Sequence, residues 1–210
     1  MKPTIRPELQ NPEGICLIGA PKERRAAKSV RISLNFKSFG ENMKASESVY
    51  KAIKKSGIDF IASVPCANLK NLLNYIYNDK EILHVPVTRE EEGFGVCAGA
   101  HLAGRKTALL MQNSGLGNSI NAIGSLCKVY GIPLLLIISH RGDLKEKIPA
   151  QIPMGQWTKK LLDVVGIPYY CPKTPEEAYK IIPYASEFSI KMGYPVAVLL
   201  DALYWEYDSI

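Results

Sequence analysis

Short apolar runs alternate with segments of helical pattern from Ala45 to the end of the sequence, and this alternation restricts the possible folds more than any other feature. The runs are, in order, "DFIASVP", "EILHVPV", "KTALLMQN", "IPLLLIIS", "IPYYCP" and "PVAVLLD". Each has the length of a strand, and each pair is separated by a segment long enough to cross over a sheet. The pattern predicts an α/β fold: a mostly parallel six-stranded sheet with helices on both faces.

Composition excludes several classes of protein. The longest apolar run, "IPLLLIIS", is far shorter than the ~20 residues of a membrane span, so we expect no membrane association. The five cysteines are scattered and lack C-x-x-C spacing, which argues against a zinc site or a disulfide framework. The three histidines are equally dispersed. We therefore expect a cytoplasmic protein without a metal site of its own.

Residues 1–42 differ from the rest of the chain. They contain four prolines and hold eight Lys/Arg against four Asp/Glu, so that four of the six net positive charges lie there. The body is nearly neutral, which argues against nucleic-acid binding. We expect a single domain over residues 43–210, preceded either by a weakly ordered basic arm or by an upstream extension of a chain that starts at Met43.

The segment "MQNSGLGNS" joins an apolar run to a helix, where α/β proteins hold phosphates and cofactors. It fails the dinucleotide pattern G-x-G-x-x-G because Ile120 stands at the third glycine, and it has Gly-Asn where a Walker A loop needs Gly-Lys. Two interpretations stay open. Either Gly115 and Gly117 form a loop that a ligand approaches closely, or the segment is a plain turn in which Ser114 caps the helix.

The segment "REEEGFGVCAGAHLAG" predicts a helix that begins with three glutamates and is then almost without side chains. Glycine inside a helix costs up to ~1 kcal/mol relative to alanine, so Gly93, Gly95 and Gly99 need a reason such as close packing of another chain or a ligand. One of the glutamates is a candidate for burial. The alternative is that all three are solvated acids favoured by the helix dipole.

Together, these two segments resemble the pyrimidine-binding half of thiamine-diphosphate enzymes. The run "EEEGFGVCAGAHLAGRKTALLMQNSGLGNSINAIGSL" is similar to the glutamate helix, strand and "QNSGLGN" loop of the phosphonopyruvate and sulfopyruvate decarboxylases. The likeness continues in "RGD…E", "Q-x-PMG" and "LLDVVGIPY", and covers roughly residues 45 to 200. It implies the thiamine-diphosphate-binding, pyrimidine-type fold.

The resemblance implies roles for residues in both segments. In the family, a glutamate nine residues before the glycine of the "CAG"-type run hydrogen-bonds N1′ of the cofactor's aminopyrimidine, which here identifies Glu90, with Glu91 as the fallback. The family's "NSGLG" loop lies against the cofactor, which implies cofactor contacts for Ser114, Gly115 and Leu116.

Substrate contacts are expected at the same end of the sheet. We assign them to Gln112, Asn113 and Arg141, because arginine suits a forked oxyanion and strand ends are where α/β ligands gather. A solvated polar loop is the alternative for Arg141. Weaker candidates are Lys145, Gln151 and Gln156. The family's "P-D-S"-like turn reads Pro65-Cys66-Ala67-Asn68 here, so its serine contact is missing unless Asn68 replaces it.

The diphosphate half of the family's site is missing from this sequence. That half binds Mg²⁺ through Gly-Asp-Gly and later asparagines, whereas the Gly-Asp of this chain is followed by leucine and no Asn-Asn occurs. The resemblance therefore implies the alpha subunit of a split 2-oxo acid decarboxylase, with a beta subunit that holds Mg²⁺.

Chain length favours the sulfopyruvate reaction within this group: 3-sulfopyruvate to sulfoacetaldehyde and CO2, a step of coenzyme M biosynthesis. A phosphonopyruvate or acetolactate-type substrate and a non-catalytic scaffold subunit remain alternatives.

Overall fold

Six parallel strands form the centre of the molecule, as the sequence predicted. The structure, a computed structural model, describes residues 43–209, so the basic arm expected over residues 1–42 lies outside the described residues. The strands run in the order β2-β1-β3-β4-β6-β5, and every neighbouring pair is parallel. Their bounds are β1 Phe60–Ser63, β2 Leu83–Pro86, β3 Thr107–Gln112, β4 Leu135–Ser139, β5 Tyr169–Tyr170 and β6 Val196–Leu200.

Helices cover both faces of the sheet, again as predicted. Their bounds are α1 Ala45–Lys55, α2 Lys70–Tyr77, α3 Glu90–Leu102, α4 Ser114–Ala122, α5 Ile152–Val165, α6 Pro175–Met192 and α7 Ala202–Trp205. Helices α1, α2, α6 and α7 share one hydrophobic core with the sheet, and α3, α4 and α5 share the other. The central strands β4 and β6 are buried along their whole length, which explains why their sequences are continuously apolar.

Helix α4 differs from the prediction at its beginning. It starts at Ser114, so Gly115 and Gly117 lie in the first turn of the helix and not in a loop. Neither glycine has a positive φ, so the backbone conformation does not require them. The helix is preceded by Asn113 at the N-cap, whose side chain makes no capping hydrogen bond, and the Ser114 hydroxyl instead accepts one from Gln112. The segment is therefore neither a loop nor a turn capped by Ser114, and Gly115 has a steric reason. The close approach of a ligand stays a prediction.

Three smaller differences concern the helices. Helix α4 continues as a π-helical segment over Ile123–Lys128, and α5 begins two residues before the predicted Met154. The short helix α7 was not predicted. No helix among residues 43–209 combines the length and the hydropathy needed to cross a membrane.

Candidate active site

The polar residues singled out in the sequence meet at the carboxyl ends of β1, β3 and β4. These three strands are neighbours in the sheet, so the segments that follow them lie side by side. The first turns of α3, α4 and α5 reach the same end. Ligands of parallel α/β sheets bind at this edge, and the described residues therefore offer one candidate site here.

Glu90 is the one buried glutamate of the three that open α3. Glu90 is the first residue of the helix, and it is only 8% exposed. Glu92 is exposed and accepts hydrogen bonds from the Thr88 hydroxyl at 2.6 Å and from the Thr88 amide at 3.2 Å. The hydrogen bond from the Thr88 hydroxyl lowers the pKa of Glu92. Glu91 forms an ion pair with Arg89 at 2.9 Å. The other carboxylate oxygen of Glu91, Oε2, is buried without a hydrogen-bond partner. The helix dipole and the local bonds thus explain Glu92, while the deeper burial of Glu90 distinguishes it from Glu91, which stays the fallback.

Gly115 provides the space that the Glu90 side chain occupies. A Cβ built on Gly115 would lie 2.1 Å from Cγ and 2.5 Å from Oε1 of Glu90. Any larger residue would push the carboxylate away. The amide of Asn118, one turn further along α4, lies 3.5 Å from Glu90 Oε2 and is a weak partner. The first turns of α3 and α4 are therefore packed around this carboxylate.

Ser114 and Leu116 flank Gly115 but face different surroundings. The Ser114 hydroxyl accepts a hydrogen bond from Gln112 Nε2 at 2.9 Å and is half-buried. Leu116 is fully buried in the core beneath the sheet. The cofactor contact expected of Leu116 stays a prediction, and its side chain is used in packing.

Gln112 is the centre of a small polar network. Its Nε2 donates to Gln151 Oε1 at 2.8 Å as well as to Ser114, and its Oε1 lies 3.6 Å from the Cys66 thiol. The sequence indicated Gln112 and Gln151 but missed Cys66. The available signal was its position just after β1, whose end is adjacent to the end of β3.

Asn113 links three elements of the structure. It is fully buried, and its Nδ2 donates to the Arg141 carbonyl and to Thr158 Oγ1, both at 2.9 Å. Its Oδ1 accepts from the Arg141 amide at 3.0 Å. Both amide hydrogens are thus used within the chain. The substrate contact expected of Asn113 stays a prediction, and in this structure its side chain holds the loop after β4.

Arg141 lies at the predicted edge, and its first partner is the chain's own Glu146. Arg141 Nε and Nη2 each donate to the Glu146 carboxylate at 2.7 Å. This pair lowers the pKa of Glu146 to about 2. The guanidinium is 15% exposed. Arg141 is therefore a fixed group and not the solvated side chain of the alternative interpretation.

The weaker candidates divide between the site and the surface. Gln151 joins the Gln112 network, whereas Gln156 is exposed. Lys145 forms an exposed ion pair with Glu206 at 2.7 Å. Asn68 donates to Ser139 Oγ at 3.2 Å, across the ends of β1 and β4. Within the described range 43–209, no group of three or more His, Cys, Asp or Glu side chains is arranged to hold a metal ion.

Fold and site together define a class of protein. Residues 43–165 match the family model "Thiamine pyrophosphate enzyme, N-terminal TPP binding domain". A structural neighbour is 2-oxoglutarate:ferredoxin oxidoreductase from Magnetococcus marinus, with a TM-score of 0.64 and 16% sequence identity over 77% of this chain and 29% of the neighbour. At this identity the neighbour supports the fold alone. The chain belongs to the family of thiamine pyrophosphate enzymes, in their N-terminal domain.

Closer relatives narrow the family. The chain is 77% identical over 166 residues to a sulfopyruvate decarboxylase subunit alpha of Methanococcus maripaludis, covering 79% of this chain and 99% of the relative. It is 43% identical over 123 residues to a sulfopyruvate decarboxylase of Methanosarcina acetivorans, covering 59% of this chain and 31% of that longer relative. Within the class, the chain therefore belongs to the sulfopyruvate decarboxylase alpha-subunit family.

Proposed function

We propose that this chain is the alpha subunit of a thiamine-diphosphate-dependent decarboxylase that converts 3-sulfopyruvate to sulfoacetaldehyde and CO2, and so serves coenzyme M biosynthesis. The identity to relatives that carry this name supports the substrate. The observation that carries the activity is the buried Glu90 carboxylate in the space left by Gly115. A scaffold subunit would have no use for a buried acid with only a weak partner.

The residues fit the cofactor. Bound thiamine diphosphate would supply a thiazolium that accepts the electrons released when CO2 leaves a 2-oxo acid. Glu90 is the catalytic residue of the proposal: its carboxyl group would hydrogen-bond N1′ of the aminopyrimidine. Gly115 leaves the space in which the Glu90 side chain lies, and the first turn of α4, with Ser114, Gly115 and Leu116, would be the surface that the cofactor contacts.

Gln112 and Arg141 are the substrate-binding side chains of the proposal. Gln112 lies between Ser114, next to the proposed cofactor contact, and Gln151 on the facing helix. Arg141 supplies positive charge at the same end of the sheet. Asn113 acts through the backbone of Arg141, which it holds on both sides.

The outer surface of α3 and α4 has features that favour docking of a partner chain. Gly95 and Gly99 of α3, and Gly124 just after α4, are exposed, and a Cβ built on any of them would meet nothing within 4 Å. Leu102, on α3, is 78% exposed. Glycines that cost helix stability and have no internal reason are explained by the close approach of another chain. We propose that a beta subunit carrying the diphosphate and Mg²⁺ half docks here.

Two further observations support a split enzyme. The alpha-subunit relative has nearly the same extent as the matched part of this chain, whereas the M. acetivorans relative matches over 31% of its length. The remainder of such an enzyme would come from the partner. The cysteines of the sequence are scattered and lack paired spacing, and we place the assembly in the reducing cytoplasm.

The test is the reaction of the purified alpha–beta assembly with thiamine diphosphate, Mg²⁺ and 3-sulfopyruvate, followed by CO2 release and sulfoacetaldehyde formation. We expect turnover. Parallel assays with phosphonopyruvate and pyruvate check the substrate. Turnover of phosphonopyruvate without 3-sulfopyruvate would retain the mechanism and reject the substrate, and a verified assembly inert toward all three acids would reject the function.

A further inference from the structure

The loop between β4 and α5 is organised around the carboxylate of Glu146. This carboxylate accepts four hydrogen bonds: two from the Arg141 side chain at 2.7 Å, one from the Gly142 amide at 3.1 Å and one from the Ile148 amide at 3.0 Å. A carboxylate offers about four acceptor positions, so all of them are used inside the chain. The Glu146 side chain is only 4% exposed. It is thus a structural centre and not a surface acid.

Backbone contacts fix the same loop. Gly142 has φ +83°, and a Cβ on it would lie 2.0 Å from the carbonyl oxygen of Gln151. A Cβ on Gly155 would lie 2.3 Å from the Gly142 carbonyl oxygen. Backbone atoms cannot move aside as a flexible side chain can. These contacts explain why the "RGD…E" and "Q-x-PMG" segments occur together. The two segments pack against each other, and this packing fixes the backbone position of Arg141.

The Arg141 guanidinium keeps a donor fork after pairing with Glu146. Guanidinium has five N–H donors, and the pair uses one on Nε and one on Nη2. Three donors remain, on Nη1 and Nη2; the Cys66 thiol interacts with the guanidinium as well, and the donors that are left can form the fork that matches an oxyanion. The Cys66 thiol is close enough to interact with this guanidinium and also lies 3.6 Å from Gln112 Oε1.

A continuous chain of contacts connects this fork to the catalytic carboxylate. Arg141 adjoins Cys66, Cys66 adjoins Gln112, and Gln112 donates to Ser114. Ser114 precedes Gly115, whose Cα lies against Glu90. A small acid whose reacting end lies at the cofactor that Glu90 would hold, with a second anionic group at its other end, would extend along this chain.

We propose that Glu146 is a positioning residue that presents the free fork of Arg141, beside Cys66 and Gln112, to the second anionic group of the substrate. This inference rests on the proposed function and identifies where its 2-oxo acid is distinguished from acids without a charged tail. Glu146 cancels the charge of Arg141, so selectivity comes from the fixed direction of the fork. A lysine would keep the charge and lose the fork.

The test compares steady-state kinetics of three variants with those of the wild type, each in the assembled enzyme with thiamine diphosphate and Mg²⁺. Arg141→Lys removes the fork, and Glu146→Gln disturbs its orientation. Glu206→Gln is the matched control, because it makes the same change in an exposed ion pair that Glu206, just after α7, forms with Lys145 of this loop. Thermal unfolding checks that each variant is folded, and Arg141→Lys, which keeps a charge opposite Glu146, covers the case in which Glu146→Gln does not fold.

We expect KM for 3-sulfopyruvate to rise by about tenfold to a hundredfold in Arg141→Lys and by about tenfold in Glu146→Gln, with kcat changed much less. Glu206→Gln should match the wild type. A merely structural role would lower the amount of active enzyme, which reduces kcat and leaves KM unchanged. That result, in either folded variant, would overturn the inference while wild-type turnover upholds the proposed function. A wild type inert toward 3-sulfopyruvate would reject the proposed function itself.

Discussion

The inner and outer faces of α3 and α4 contain glycine for different reasons. On the inner side, a Cβ on Gly93 would lie 2.5 Å from Leu109 of β3, and one on Gly115 would lie 2.1 Å from Glu90. On the outer side, Gly95, Gly99 and Gly124 have open space where a Cβ would be. The inner glycines are explained by contacts within the chain, whereas the outer ones are not.

The sequence shows one pattern of small residues, but this difference divides it into glycines that serve the site and glycines that are available for a partner chain. On the inner face, Gly115 lets the first turns of α3 and α4 close around a carboxylate, and Gly93 lets α3 pack closely on β3. The outer glycines weaken the helices without any gain inside the described chain. We therefore assign the inner face to catalysis and the outer face to association with the partner. Three predictions test this division, and a fourth concerns the loop after β4 that lies at the same end of the sheet.

The largest effect is expected from Glu90→Gln, which removes the acid at the centre of the inner face. Loss of a positioned proton-transfer group should lower kcat of the assembled enzyme by about 10² to 10⁴-fold. The melting temperature and the affinity for the partner should stay close to wild type, because size and shape are retained. Decarboxylation assays and calorimetry measure the two properties. Glu91→Gln is the control, and an equal loss in that variant would move the catalytic role to Glu91.

A smaller loss of activity is expected from Gly115→Ala, which retains the Glu90 carboxylate but changes its position. The new methyl group overlaps Glu90 Cγ and Oε1, and the flexible side chain would move aside. Displacement by about an ångström costs on the order of 10- to 100-fold in kcat. The melting temperature should change little. Activity equal to wild type would show that the packing of Gly115 on Glu90 does not matter for the reaction.

Gly99→Ala should stabilise the isolated chain and weaken its binding to the partner. The methyl group meets nothing in the described structure, so the isolated chain should gain about 0.5–1 kcal/mol in unfolding free energy. Overpacking against the partner should raise the dissociation constant by roughly five- to fiftyfold. Urea unfolding and titration calorimetry test the two signs. Gly93→Ala is the matched control on the same helix, and it should destabilise the chain through Leu109. Unchanged affinity for the partner in Gly99→Ala would reject the outer face as the docking surface.

The smallest effect concerns the free energy of unfolding at acid pH, which depends on Glu146 in the loop after β4. Arg141 lowers the pKa of Glu146 from 4.5 to about 2, so the charged form stabilises the folded state above about pH 4.5 and this contribution is lost as the pH falls toward 2. Glu146→Gln should lower stability at neutral pH on the order of 1 kcal/mol after allowance for solvent screening. The difference from wild type should shrink between about pH 4.5 and pH 2. Unfolding at several pH values measures it, and a constant difference would contradict the assignment.

The strands were predictable because their signal is local. Continuously apolar runs such as Leu135–Ser139 and Val196–Leu200 are typical of strands buried on both faces, and all six were confirmed. The beginning of α4 was not predictable, because glycine permits both a loop and close helix packing. Only the tertiary contact between Gly115 and Glu90 decides between them.

The sequence predicted which residues lie at the site better than it predicted the contacts that these residues make. The resemblance identified Glu90, and the structure buries it beside Gly115, but its role as the cofactor's partner stays a prediction. The partners of Arg141 and Asn113 depend on how the loop after β4 folds back on α5, which no spacing in the sequence encodes. Cys66 was missed because a single cysteine carries no pattern.

The central claim is that this chain contributes one half of a site that another chain completes. The most direct measurement is decarboxylation of 3-sulfopyruvate by this chain alone and after addition of the beta subunit, with thiamine diphosphate and Mg²⁺ in both reactions. The account predicts CO2 release only in the mixture, saturating as the partner is titrated. Turnover by the chain alone, at a rate that the partner does not change, would contradict it.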